Sequence, residues 1–159
     1  MGFFFKTKIE LAAPVTGTLL PLEQVKDQAF AEKMLGDGVA VAPETGEILA
    51  PCDGILSYVP DTAHAVALTG PHGLEILIHV GLDTVKLEGR GFTAHVKTGD
   101  NVKRGQSLIS FDRAQLLAEG YDMTTPMVIT NGDVVSKMEK APAGHATAGN
   151  STVVKVTLK

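Results

Sequence analysis

One cysteine, Cys52, stands in a chain of 159 residues, so no internal disulfide can form and a reducing compartment is the simpler home. In such a setting a lone thiol reads as a small core residue and not as a nucleophile. No apolar run is long enough to span a bilayer. The opening MGFFFK is too short and poorly flanked for a secretory signal, and Lys6 stands where a myristoylation signal wants Ser or Thr. These absences point to the cytoplasm. The Phe3, Phe4 and Phe5 cluster is expected to pack on the domain edge. Charge of one sign is scarce too: 14 Lys and Arg against 18 Asp and Glu give a net charge of -4 and a pI near 5.7. With no Lys/Arg-rich stretch to meet phosphates, nucleic acid is excluded as a partner. An acidic surface suits a basic protein partner instead.

Familiar catalytic motifs are missing as well. Neither HExxH, HxH nor any Cys/His grouping with zinc-site spacing occurs, and no serine sits in a nucleophile elbow. GHATAGNS at 144–151 comes near a P-loop, but Asn150 replaces the essential Lys and a strand pattern follows. The chain therefore has no nucleotide site of its own.

What is present is a chain 44% apolar, enough for one domain with an ordinary core, punctuated by 17 glycines and 8 prolines. Between them lie GVAVAP, HAVALTG, LEILIHV, SLISFD, PMVIT and TVVKVTLK, whose β-branched and alternating character predicts many short strands and an all-β sandwich or barrel. Two helical signals interrupt them. Asp112 and Gln115 frame RAQLLAE, which Gly120 closes, and a second pattern runs over 22–35 with Leu22, Val25, Ala29 and Phe30 at helical spacing. There, Asp27 is placed to cap the second half. An internal echo, A-P-x-x-G-x-[LI]-[LI], joins AAPVTGTLLPL at 12–22 to LAPCDGILSYV at 49–59 and indicates a duplicated hairpin unit. KTGDNVKRGQSLISF adds a turn spacing met where two strands of a barrel-sandwich hybrid are joined. One domain over 1–159 is expected, with 1–8 as an N-terminal extension.

Of five histidines, His72 and His145 fall in expected loops and His95 on a partly exposed strand. His64 and His79 differ. Strand alternation puts Glu75, Leu77 and His79 on one face and Leu74, Ile76, Ile78 and Val80 on the other, which is plainly core. The same rule groups Thr62, His64, Val66 and Leu68, so the Thr62 hydroxyl is expected beside the His64 ring, where it would fix orientation and tautomer. An unpaired imidazole among apolar residues costs free energy, so His79 requires a partner or a chemical task. From spacing alone the two read equally well as strand histidines satisfied by neighbours.

GLEILIHVGLDTV at 73–85 matches in full the active-site signature of the glucose-family IIA component of the bacterial phosphoenolpyruvate-dependent sugar phosphotransferase system. APVTGTLLPLEQVKD, GDGVAVAP, APCDGILSYV, the Thr-x-His of DTAHAVAL, VKTGDNVKRG and TPMVITN resemble the same family in order and spacing, so the likeness covers nearly the whole chain. It implies a compact antiparallel β-sandwich of duplicated-hybrid-motif type with one or two short helices, and shortens the 22–35 helix to a turn or two. It also implies a phosphoryl relay, from the phosphocarrier HPr to a cysteine of a IIB domain, at the inner face of the membrane. His79 then carries the phosphoryl group, His64 stabilises the transition state, Thr62 orients His64, and the Gly81 carbonyl holds the Nδ1–H of His79. An ordinary imidazole, with a pKa near 6.5, is largely neutral and nucleophilic at cytoplasmic pH. Asp37 and Asp83 match acidic positions around the site; since like charge opposes an incoming phosphoryl group, they read as contacts for a basic donor surface.

No resident cofactor is implied. His64 and His79 become zinc ligands only in complexes where a partner supplies a carboxylate. A metal-dependent hydrolase on the same fold would need a third ligand, and a regulatory binding module using the same patch can coexist with the relay. Glucose, N-acetylglucosamine, sucrose and β-glucoside systems share this domain type, with selectivity in the membrane component. The initiating Met points to a free subunit over a fused one.

Overall fold

Each β-branched run named above becomes a strand in the computed structural model, which describes residues 6–159. The first seven strands are β1 (Lys8–Ala12), β2 (Gly17–Pro21), β3 (Asp37–Pro43), β4 (Glu47–Leu49), β5 (Gly54–Tyr58), β6 (Ala65–Thr69) and β7 (Glu75–His79). Then come β8 (Phe92–Ala94), β9 (Asn101–Val102), β10 (Ser107–Phe111), β11 (Thr125–Ile129), β12 (Val135–Lys140), β13 (Gly144–Ala146) and β14 (Thr152–Leu158). Two short helices, α1 (Gln28–Ala31) and α2 (Arg113–Ala118), interrupt them. The strands form an eight-stranded sheet in the order β13-β2-β3-β11-β7-β6-β5-β9 and two three-stranded sheets, β1-β14-β12 and β4-β10-β8, with antiparallel neighbours throughout. The sheets close over one core in which Leu11, Ile48, Leu56, Leu68, Ile76, Ile78, Leu108 and Ile109 are buried. This is the antiparallel β-sandwich expected of the chain. The Phe3–Phe5 cluster lies outside the described residues.

The echoed segments occupy equivalent places. Strands β2 and β5 each stand second from an edge of the large sheet. Where they meet, the Ala12 amide donates to the Pro51 carbonyl at 2.9 Å and the Leu49 amide to the Pro14 carbonyl at 2.8 Å, a reciprocal pair. The following turns repeat the pattern: Gly149 N–H donates to the Ala13 carbonyl at 3.0 Å and Gly105 N–H to that of Ala50 at 2.9 Å. Thr16 Oγ1 accepts from the Ala148 amide and Asp53 Oδ1 from that of Arg104. The near-P-loop GHATAGNS is therefore β13 and the turn before β14, the counterpart of the KRGQ turn. In both echoes the glycine is required sterically. A Cβ on Gly17 would collide with the Ala42 carbonyl, and one on Gly54 with that of Thr69.

Four local expectations change. The 22–35 segment is not one helix: a 3-10 turn at Leu22–Gln24 stops at Val25, which is extended (φ -69°, ψ 133°), and α1 begins afresh where Asp27 accepts from Ala29 N–H at 2.9 Å. Its apolar residues are spaced for a helix but reach one cluster through two short pieces, so packing overrides periodicity. At α2, Asp112 accepts from Gln115 N–H at 3.2 Å, but the Gln115 side chain turns to Glu119, leaving half a capping box. His145 is not in a loop: it is the middle of edge strand β13, opposite Thr18, with Nε2 3.5 Å from Glu44. His72 does lie in a turn, and His95 follows β8 in an exposed bend with Nε2 2.6 Å from Ser110 Oγ. Cys52 is core, and burial, reinforced by Asp53, pushes its thiol up to about 12, so it is not a nucleophile.

Candidate functional site

Strand β7 alternates as its sequence dictates: Leu74, Ile76, Ile78 and Val80 are buried in the main core, while Glu75, Leu77 and His79 face outward and are half-buried. That outward face is not bare. A second, smaller apolar cluster of Leu22, Val25, Phe30, Ala40, Leu82 and Val128 lies over it, with Leu77 packed against it. His79 stands at its border, its ring centroid 5.4 Å from that of Phe30 at an interplanar angle of 58°.

After His79 the chain turns sharply. Gly81 has φ +79°, and its carbonyl lies 2.6 Å from His79 Nδ1. A carbonyl only accepts, so Nδ1 carries the proton and Nε2 is left with its lone pair. Thr84, wholly buried, fixes the turn by donating from Oγ1 to the Val80 carbonyl at 2.6 Å. Gly81 admits no side chain: a Cβ would lie 2.7 Å from Thr84 Cγ2 and 2.9 Å from Met123 Sδ, at a left-handed φ. Gly81→Ala is expected to cost about 2–3 kcal/mol of stability, from left-handed strain and overpacking. It should also move the carbonyl off Nδ1. Urea unfolding and the 15N shifts of His79 check the two effects.

His64 stands just before β6, with its ring centroid 5.3 Å from that of His79 and the planes at 72°, close to edge-on. Its Nδ1 is 2.5 Å from Thr62 Oγ1. The expected neighbours thus meet, though not by strand alternation. Strand β6 begins only at Ala65, Thr62 lies in a turn, and Ala63 has φ +53°. His64 leaves the Val66 and Leu68 face, which is entirely buried, and its ring meets His79. The backbone seals the junction, Val80 N–H donating to the His64 carbonyl at 2.7 Å.

Burial, and secondarily the charge of His79, hold the His64 imidazole below its ordinary value of 6.5. A hydroxyl both donates and accepts; with Thr62 donating to Nδ1, neutral His64 carries its proton on Nε2. Because the unfolded chain binds that proton more readily, this site's contribution to stability rises with pH between the depressed folded value and 6.5, and is lost as pH falls through that window. NMR titration of His64 should show a midpoint below 6.5, moving in Thr62→Val, where the hydroxyl is gone.

Asp83 is exposed, at φ +57°, on the rim of a groove that Leu82, Lys26, Lys86 and Tyr121 also line. Asp37 opens β3, two strands across the sheet from β7, and Lys140 Nζ sits 2.5 Å from its Oδ1 with Lys33 Nζ at 3.8 Å. The sequence reading did not foresee these ion pairs. Nor did it assign Thr84, although Thr84 stands inside the signature, or single out Phe30, whose helical spacing was the one available sign. Among the described residues no group of three or more His, Cys, Asp or Glu is arranged to hold a metal ion. No helix among them is long and apolar enough to cross a membrane.

Comparison with known proteins bears on the same residues. The family model described as phosphoenolpyruvate-dependent sugar phosphotransferase system, EIIA 1, matches residues 9–135. A curated relative, the PTS system glucose-specific EIIA component of Oceanobacillus iheyensis, is 46% identical over 149 residues, covering 94% of this chain and 90% of its own. The PTS system beta-glucoside-specific EIIBCA component of Bacillus subtilis is 48% identical over 124 residues, which are 78% of this chain and 20% of that longer one. Among solved structures, glucose permease IIA from Mycoplasma capricolum superposes with a TM-score of 0.89 at 32% identity, covering 97% of this chain and 99% of that one.

Proposed function

Since the chain belongs to the EIIA 1 family of the phosphoenolpyruvate-dependent sugar phosphotransferase system, we propose that it is a histidine phosphocarrier, taking a phosphoryl group from HPr onto His79 and passing it to a cysteine of a IIB domain. The observation that carries this reading is the short bond from His79 Nδ1 to the Gly81 carbonyl, 2.6 Å, which leaves Nε2 as the free nucleophile. Attack by the Nε2 lone pair forms the N–P bond as the donor's N–P bond breaks. Nδ1 keeps its proton throughout, and its bond to Gly81 strengthens as the ring gains positive charge. His64 Nε2–H donates to the phosphoryl oxygens, a contact that matters most when the acceptor is an anionic thiolate. Little covalent machinery is needed beyond placement and charge stabilisation.

The relay needs no resident cofactor and operates in the cytoplasm, at the inner face of the membrane beside its permease; the fused EIIBCA relative supports such a partner. Asp83, exposed beside the site, and Asp37, once Lys140 yields it, offer carboxylates to a basic donor surface. The chain acts as one domain, and the extension expected over 1–8 gives way to the fold by Lys8, which opens β1 and pairs with Thr157. Intact-mass analysis after incubation with phosphoenolpyruvate, enzyme I and HPr tests the reading. One acid-labile phosphoryl addition is expected, and no addition beside a phosphorylated HPr control would overturn it.

A further inference from the structure

We propose that Phe30 is a positioning residue for phosphoryl acceptance, locking the His79 ring in the one rotation that joins Nδ1–H to the Gly81 carbonyl and turns Nε2 outward; this rests on the phosphocarrier reading above. Phe30 is the one aromatic residue of the small outer-face cluster, which is separate from the main core. It comes from α1, a helix of four residues that is too short to persist alone and is held by its Asp27 cap and by its own packing. The ring is buried, 3% exposed, yet its neighbour His79 is half-buried and functional.

Among the described residues, three groups bear on the His79 ring. Gly81 takes Nδ1–H at 2.6 Å, His64 stands edge-on at 5.3 Å, and Phe30 lies against the ring at 5.4 Å. A rotation about Cβ–Cγ would bend the bond to Gly81 and swing Nε2 off its line. A full half-turn returns the ring to the same plane, so the Gly81 carbonyl selects between those two states, while Phe30, against the ring, restricts the rotation between them. Chemistry favours an aromatic here. When the N–P bond forms at Nε2 with Nδ1–H retained, the imidazole becomes cationic, and an aromatic ring within about 6 Å accommodates that charge. A carboxylate in the same place would repel the phosphoryl oxygens.

Phe30→Leu, which keeps most of the volume, and Phe30→Ala test the assignment. The measurements are long-range 1H–15N spectra of the side chain of His79, which report its tautomer without any activity, and single-turnover acceptance from phosphorylated HPr. Phe30→Ala is expected to show a mixed His79 tautomer and acceptance slowed about 10- to 100-fold, as small misplacements of reacting atoms do. Phe30→Leu should fall between it and the wild type, with the His64 resonances unchanged in both. Folded variants that keep the single Nδ1–H tautomer and accept within about twofold of wild type would overturn the proposal. If Phe30→Ala does not fold, Phe30→Leu decides by the same criteria. If wild type itself accepts no phosphoryl group, the phosphocarrier reading fails, while the tautomer spectra still decide what Phe30 does to His79.

Discussion

His79→Ala is expected to lose phosphoryl acceptance from HPr by roughly 10⁴-fold or more, because the attacking atom is removed and nothing nearby replaces it. His64 is the one imidazole within reach, at 5.3 Å between ring centroids. Its Nδ1 is engaged by Thr62, and with that hydroxyl donating, Nε2 carries the proton and has no lone pair to offer. Cys52 is buried in the core with its thiol at about 12. The fold should survive the change. His79 is half-buried at the border of the small outer-face cluster, and its neighbours Ile78 and Val80 keep the main core intact. The check is intact mass after phosphoenolpyruvate, enzyme I and HPr, with circular dichroism beside it. A folded His79→Ala protein that still gains an acid-labile phosphoryl group would remove His79 from the relay.

The alternation of β7 was legible residue by residue, because one of its faces is wholly apolar and a one-residue slip would bury Glu75 and His79. The Thr62 and His64 contact was legible for the wrong reason. The pair lies in the turn before β6, with a left-handed Ala63 between them, and an alanine gives no signal for φ +53° in the sequence. The Gly81 carbonyl was assigned through the resemblance and not from spacing, yet its physical basis is local: a glycine at φ +79° packed against Thr84 and Met123. Phe30 was hidden by the helical pattern around it. Its spacing announces burial but not against what, since the contact spans 49 positions of sequence and depends on how the 22–35 segment folds back over the sheet. The ion pair of Asp37 with Lys140 is similarly long-range, 103 positions apart, and surface charges carry no pattern that pairs them in advance.

His64→Ala is expected to separate the two halves of the relay: acceptance from HPr within about tenfold of wild type, onward transfer to the IIB cysteine slower by roughly 10²- to 10³-fold. The asymmetry follows from charge. In acceptance the attacking Nε2 of His79 is neutral and the leaving imidazole departs neutral, so the phosphoryl oxygens carry little added charge. In onward transfer the nucleophile is a thiolate, and its negative charge approaches a group that is already anionic. A fixed donor aimed at those oxygens therefore matters most on the way out. In the proposed relay His64 would supply that donor at low reorganisation cost: burial lowers its pKa and favours the neutral ring, and Thr62 Oγ1, 2.5 Å from Nδ1, by donating there would leave the proton on Nε2. His64→Gln, whose amide can donate from a similar distance, should recover part of the outgoing rate, and Thr62→Val should lose part of it by freeing the tautomer. Rapid-quench measurement of each half-reaction, with labelled phosphoryl followed from HPr to the carrier and from the carrier to IIB, distinguishes these outcomes. Equal losses in both directions would mean that His64 serves to hold His79 in place and not to stabilise the outgoing phosphoryl group.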